Sequence, residues 1–207
     1  MSIKIRKAKT QDATFLAKMI LQSSRAEKKF GMFDLIFTAK SDVKTLEILE
    51  KLITTDSKNY CHYSNFLIAK IDGVDVGSLC SYEPRIATQK AFTDALDEIG
   101  CSDVVDSFLE ISSLCAFKSN NRTLFFDFME ELDGYMDVGV LKALMQKSLL
   151  TARLKGYRIV KTMVEIGSLE ALLYYKKLGF KELEEKECEL YKEKFGRAGI
   201  VLLSYEF

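Results

Sequence analysis

Residues 139–180 read GVLKALMQKSLLTARLKGYRIVKTMVEIGSLEALLYYKKLGF, and the rest of the chain can be arranged around them. Gly139 opens a helix over about 138–155, in which Leu141, Leu144, Met145, Leu149 and Ala152 recur as one apolar stripe with Ser148 inside it. Gly156 ends that helix, and an apolar strand is predicted over 158–166. Gly167-Ser168 breaks the strand, Ser168 serves as an N-cap, and a second helix runs over 169–178 to Gly179-Phe180. The first turn of a helix has unpaired N–H groups and the positive end of the dipole, so a helix that starts at a bare glycine is suited to hold an anion. With its stripe on a sheet, the 138–155 helix can aim that end at a ligand.

Outward from this stretch, the sequence alternates helices and strands. Residues 2–7 alternate apolar and polar as a half-buried strand does. Thr10 is the predicted N-cap of a helix carrying Ala13, Leu16, Ala17, Ile20 and Leu21. Residues 28–41 are apolar without a period, as in a broken helix or a segment lining a pocket. Residues 42–54 form a helix with Val43, Leu46, Leu49 and Leu52 on one side. Strands over 66–71 and 74–82 flank Asp72-Gly73, a hairpin turn signal. Helices are expected over 86–98 and 103–117, a turn at Asn120-Asn121 and an aromatic strand over 122–132. After Phe180 come a charged extended segment over 180–191 and a last strand over 200–207. The architecture implied is a single α/β domain over 1–207: a mixed, mostly antiparallel central sheet with helices on both faces.

Composition narrows the function classes. The 207 residues are 48% hydrophobic and 29% charged, enough for a core that needs neither disulfides nor metal. Thirty basic and thirty acidic residues leave no net charge, which argues against a chain-wide field for nucleic acid or anionic membrane. The chain has no signal-peptide run and no membrane-span run, so the expected compartment is the cytoplasm. Five cysteines without a Cys-x-x-Cys read as free thiols. The one histidine, His62, lies in a polar loop without ligand spacing, so no metal is expected.

Four features together resemble the GNAT superfamily of N-acyltransferases. Phe66–Tyr82 resembles its central hairpin, and Gly139–Met145 resembles the end of its pyrophosphate loop with the helix after it. Ala171–Phe180 resembles its Ala-x-x-x-Tyr-x-x-x-Gly-Phe signature, and a strand, loop and last strand follow as they do there. The ending Phe195–Ile200 is similar to a bacterial branch. The resemblance implies an acetyl-CoA cosubstrate, with the pyrophosphate on the amides of Val138, Gly139, Val140, Leu141 and Lys142. It implies pantetheine beside the strand end at Glu130–Leu132, with a backbone N–H there for the thioester oxygen, and Ser168 at a position often held by Asn. The loop's usual basic residue is replaced by Met136, with Asp137 beside it. Each such charge contact is worth about 0.3–1 kcal/mol, so weakened coenzyme binding is expected.

The same resemblance places Tyr175 beside the coenzyme sulfur as general acid. Tyr174, about 100° round the helix, faces elsewhere. Glu130 and Glu131 are the base candidates, against a solvated strand end, with Glu165 a weaker one. Simple alternation puts Asp127 and Glu131 on one face and Glu130 on the other. Phe30, Phe33 and Phe37 either line an acceptor pocket or pack on the sheet. The expected acceptor is a small-molecule or peptide amine, and apolar residues in 28–41 hint at a homodimer. The alternative is a non-catalytic, degenerate GNAT-like module that binds or senses acyl-CoA.

Overall fold

The computed structural model describes residues 2–118, 123–136 and 138–207; the expected Asn120-Asn121 turn and Asp137 lie outside the described residues. Seven strands form one sheet in the order β1-β2-β3-β4-β5-β7-β6. They are β1 (Ile3–Lys7), β2 (Phe66–Ile71), β3 (Val74–Tyr82), β4 (Thr123–Glu131), β5 (Ile159–Glu165), β6 (Lys181–Glu187) and β7 (Gly199–Glu206). Neighbours are antiparallel except β4 and β5. Two cores, one on each face, fill the space between sheet and helices.

The upper core lies under α1 (Ala13–Arg25), α2 (Met32–Phe37), α3 (Asp42–Ile53), α4 (Gln89–Glu98) and α5 (Val105–Ser113). Ser41 caps α3, accepting the Lys44 N–H at 3.4 Å. The α3 face differs from the expected one: Thr45, Leu49, Leu52 and Ile53 are buried, whereas Val43 is 64% exposed. Thr10 is not the cap of α1. It starts a short 3₁₀ turn, and Asp12 accepts the Lys9 N–H at 2.7 Å instead. That carboxylate also takes two bonds from Arg6, at 2.7 and 2.8 Å, a longer-reaching partner than threonine offers. The irregular segment 28–41 is a broken helix around α2. Its apolar residues are taken up inside the chain: Phe33, Ile36 and Phe37 are buried, and Phe30 alone of the three phenylalanines is exposed.

The lower core lies under α6 (Val140–Leu154) and α7 (Leu169–Lys177). Val140, Leu144, Met145, Ser148 and Ala152 form the buried face of α6, so Val140 rather than Leu141 begins the stripe. The helix packs across β1, β2, β3 and β4. The charged segment after Phe180 is not one long strand. β6 stops at Glu187, and α8 (Glu189–Phe195) follows because Tyr191 turns inward, buried, with its hydroxyl on Glu165 at 2.8 Å. No helix among the described residues is long and apolar enough to cross a membrane.

Candidate active site

The feature that organises the site is a gap in the sheet. β4 and β5 pair only through Thr123–Ile159, Leu124–Val160 and Phe125–Lys161. Beyond that point β4 continues to Glu131 and β5 to Glu165, but no further pairs join them among the described residues. A sheet edge exposes backbone N–H and C=O groups that an extended ligand can pair with. Here such an edge opens inside the sheet.

At the mouth of the gap stands the N-terminus of α6. Gly139 takes φ 91°, a left-handed conformation that lets the chain turn into the helix without a side-chain clash. The first intrahelical bond runs from the Ala143 N–H to the Gly139 carbonyl, and no side chain caps the end. The amides of Val140, Leu141 and Lys142 are therefore the orphan donors of a first turn. The amide of Val138 is already engaged with the Tyr135 carbonyl at 3.3 Å. So is that of Leu132, bonded to the Val76 carbonyl at 2.8 Å, so Leu132 brings no spare N–H to a ligand. Met136 is exposed beside this loop. The donor set suits an anion, without a basic side chain at position 136.

The carboxylates on β4 are arranged by a bulge. Cys80 pairs with Asp127 and Ser78 with Glu130, so the single residue between them on β3 opposes two on β4. Phe128 supplies the extra residue at φ 43°, a strained conformation for a ring-bearing side chain. The expected alternation is therefore overturned: Asp127 and Glu130 share the upper face, and Glu131, opposite Gly77, takes the lower one. Burial pushes the Glu130 carboxyl up to about 7, with Glu131, Asp133 and Glu27 adding like charge, against the steadying Glu131 N–H. Burial likewise holds Asp127 at about 6.

Tyr175 is buried in the lower core, its ring 5.3 Å from Phe180. The Phe180 N–H returns to the Tyr175 carbonyl through Gly179, whose φ of 96° ends α7, so the Gly-Phe pair locks the tyrosine's position. Burial raises its hydroxyl to about 12; a side-chain bond with Thr162 opposes this, and Asp127, Tyr174 and Glu130 add to it. Tyr175 and the two upper-face carboxylates are thus within electrostatic reach across the gap. Tyr174 has a buried hydroxyl without a hydrogen-bond partner, and the charge of Glu131 reaches it. Ser168 holds the N-cap position of α7, but its side chain makes no capping bond. Glu165 is not a free base: it is engaged by Lys28, the Tyr191 hydroxyl and, at 3.8 Å, Arg197.

His62 is a structural residue, bonded to Ser64 through Nδ1 at 2.7 Å. Among the described residues no group of three or more His, Cys, Asp or Glu is placed to hold a metal ion. Phe33 and Phe37 stack in the upper core, Phe33 also lying 6.0 Å from Phe128. Sequence reasoning missed Ser78, Tyr60 and Tyr82, which border the carboxylates on the upper face. The pairing register brings Ser78 and Tyr82 there and the turn before β2 brings Tyr60, and no spacing motif marks them.

With this geometry in hand, the chain can be set beside solved structures. One acetyltransferase structure superposes with a TM-score of 0.71 at 14% identity over 98% of each chain. The fold is that of the GNAT acetyltransferases. An N-acetyltransferase from Staphylococcus aureus Mu50 matches with a TM-score of 0.69 at 16% identity, over 98% of this chain and 100% of that one. A ribosomal-protein-alanine N-acetyltransferase from Brucella melitensis matches at 0.59 and 14%, over 99% of each. No protein-family model matches the sequence, and no curated protein matches it. The GNAT fold therefore persists here on a sequence far from these neighbours.

Proposed function

We propose that the chain is an acetyl-CoA-dependent N-acetyltransferase acting on a primary amine. The observation that carries this reading is the gap between β4 and β5 with the uncapped N-terminus of α6 at its mouth. A thioester with a long amide-bearing arm and a pyrophosphate fits these two features together. The amides of Gly139, Val140, Leu141 and Lys142 would hold the pyrophosphate, and the open edge of β4 would pair with the arm. Ser168, its hydroxyl uncommitted to capping, would supply a further contact.

Glu130 takes the proton from the incoming ammonium. A carboxylate held near 7 is matched to that task at neutral pH. The amine nitrogen then bonds to the thioester carbonyl carbon, the carbon–sulfur bond breaks, and the nitrogen gives up its second proton to solvent. Tyr175, kept protonated by burial, delivers its proton to the leaving thiolate. Glu131 is the other base candidate, but it lies on the opposite face from Glu130, on the side of α6. Its backbone N–H, now donating to the Glu130 carboxylate at 3.1 Å, is the candidate donor to the thioester oxygen.

Thermal unfolding with acetyl-CoA and with free coenzyme A tests the binding half. Ligand at 100 times its dissociation constant stabilises by about 2.7 kcal/mol. Release of free thiol with an amine panel tests the chemistry. A second reading, an acyl-CoA-binding module without turnover, is favoured by one feature: Met136, 66% exposed, stands where a cation would meet the phosphates. A thermal shift without thiol release would select it, and no shift at millimolar ligand would reject both.

A further inference from the structure

We propose that the acceptor is a short aliphatic diamine, its attacking nitrogen at Glu130 and its second, ammonium nitrogen held by Asp127 against the rings of Tyr60 and Tyr82. This rests on the acetyltransferase reading and names the substrate class for the same site.

The bulge at Phe128 sets the two carboxylates in line on one face, opposite Ser78 and Cys80. Ser78 and Cys80 are two strand residues apart, so the carboxylate-bearing positions are about 7 Å apart. The nitrogens of an extended 1,4-diaminobutane are about 6 Å apart by standard bond lengths.

Asp127 sits in unusual surroundings for an anion. Its negative field reaches Tyr60, Tyr82, Cys61 and Cys80. The Tyr60 and Tyr82 rings lie 5.9 Å apart, with Phe92 stacked on Tyr60 at 4.6 Å and Phe125 on Tyr82 at 5.8 Å. The Phe128 N–H donates to Asp127 at 2.8 Å, but among the described residues no lysine, arginine or histidine pairs with Asp127 or Glu130. A carboxylate in the interior without a cation is costly to the fold. Asp127, Tyr60 and Tyr82 nonetheless keep part of their surface accessible, although core surrounds them.

An independent feature marks the same face. Ser78 is fully buried and its hydroxyl has no partner, directly across the ladder from Glu130. A serine buried in this way is an acceptor or donor awaiting a ligand or its water. An ammonium would satisfy Asp127 and gain from the aromatic faces around it. A monoamine at Glu130 would leave Asp127 unpaired. An amine that carries a carboxylate would meet Asp127, Glu131, Asp133 and Glu27 with charge of the same sign.

The test is a calorimetric titration of the full chain, with and without coenzyme A, using 1,4-diaminobutane, butylamine and 4-aminobutanoate. Turnover of each with acetyl-CoA is followed in parallel. The expected result is diamine binding at least tenfold tighter than butylamine, with no measurable binding of 4-aminobutanoate in the same range. In Asp127→Asn the diamine falls to the butylamine level, while coenzyme A binding and the thermal transition are retained. Tyr82→Leu weakens the diamine severalfold and leaves butylamine unchanged. Equal affinity of the wild type for diamine and butylamine overturns the proposal, and so does an Asp127→Asn variant that folds and keeps the diamine preference. Coenzyme binding without diamine preference defeats only this inference. Absence of coenzyme binding defeats the acetyltransferase reading itself, whatever the amines do.

Discussion

Gly77 of β3 and Val140 of α6 touch so closely that a methyl group at position 77 would lie 2.7 Å from Val140 Cγ1 and 2.9 Å from the Glu130 carbonyl oxygen. The start of the ligand-facing helix is thus seated on the sheet through a residue with no side chain, next to the candidate base. Gly77→Ala is expected to cost about 1–3 kcal/mol through overpacking. Because the displaced atoms belong to the first turn of α6 and to the end of β4, the same variant should weaken acetyl-CoA binding. Urea denaturation and calorimetry with acetyl-CoA check the two effects. Lost stability with unchanged affinity would separate the helix seat from the coenzyme site.

Tyr175→Phe removes the proposed acid but keeps the ring packed against Phe180. The expected outcome is a kcat lower by about 10²–10⁴-fold with coenzyme affinity retained. Tyr174→Phe is the matched control. It deletes a buried hydroxyl that has no hydrogen-bond partner, so stability should hold or rise by about 1 kcal/mol. Thermal unfolding and steady-state kinetics on the pair distinguish acid chemistry from packing.

The two upper-face carboxyls predict opposed pH responses. Glu130 is raised from 4.5 to about 7 and Asp127 from 3.8 to about 6. Between the unfolded and folded values the native state holds more protons than the unfolded chain. Their contribution to stability is therefore full below about pH 4 and is lost as pH rises through 6 and 7. Catalysis needs Glu130 ionised, so kcat/KM should climb through the same window. Denaturation midpoints and initial rates from pH 4.5 to 8 are expected to run in opposite directions. In Glu130→Gln both the fall in stability near pH 7 and the rise in rate should disappear.

Met136→Arg places a cation beside the α6 N-terminus, where phosphate is expected. A contact of about 0.3–1 kcal/mol corresponds to a gain of up to about fivefold in acetyl-CoA affinity, diminishing with added salt. Calorimetry at two salt concentrations reads both. Unchanged affinity would move the pyrophosphate away from this loop.

What the sequence disclosed and what it concealed divide along one physical line. Periodicity and punctuation are local, and they located α6, β5 and α7 to within two residues. The bulge at Phe128 is not local. Nothing in Phe-Asp-Phe-Met-Glu-Glu says that Phe128 takes a positive φ, because the register with Ser78 and Cys80 imposes it. An alternating reading thus grouped Asp127 with Glu131 instead of with Glu130. The segment 181–195 failed for a related reason. Its alternating charges look like an exposed edge, and only the Glu165 partner on a distant strand explains why Tyr191 folds inward and a helix forms.

The short seam between β4 and β5 has a mechanical meaning. Strands β1 to β4 and β5 to β7 are two plates joined along three residue pairs, with α6 lying across the first plate and the lower core bridging both. A ligand pairing along the open edge would act as a splint between the plates. Hydrogen exchange should then slow most at 126–131, on the free edge of β4, while the amides of Thr123 to Phe125 remain as protected as before.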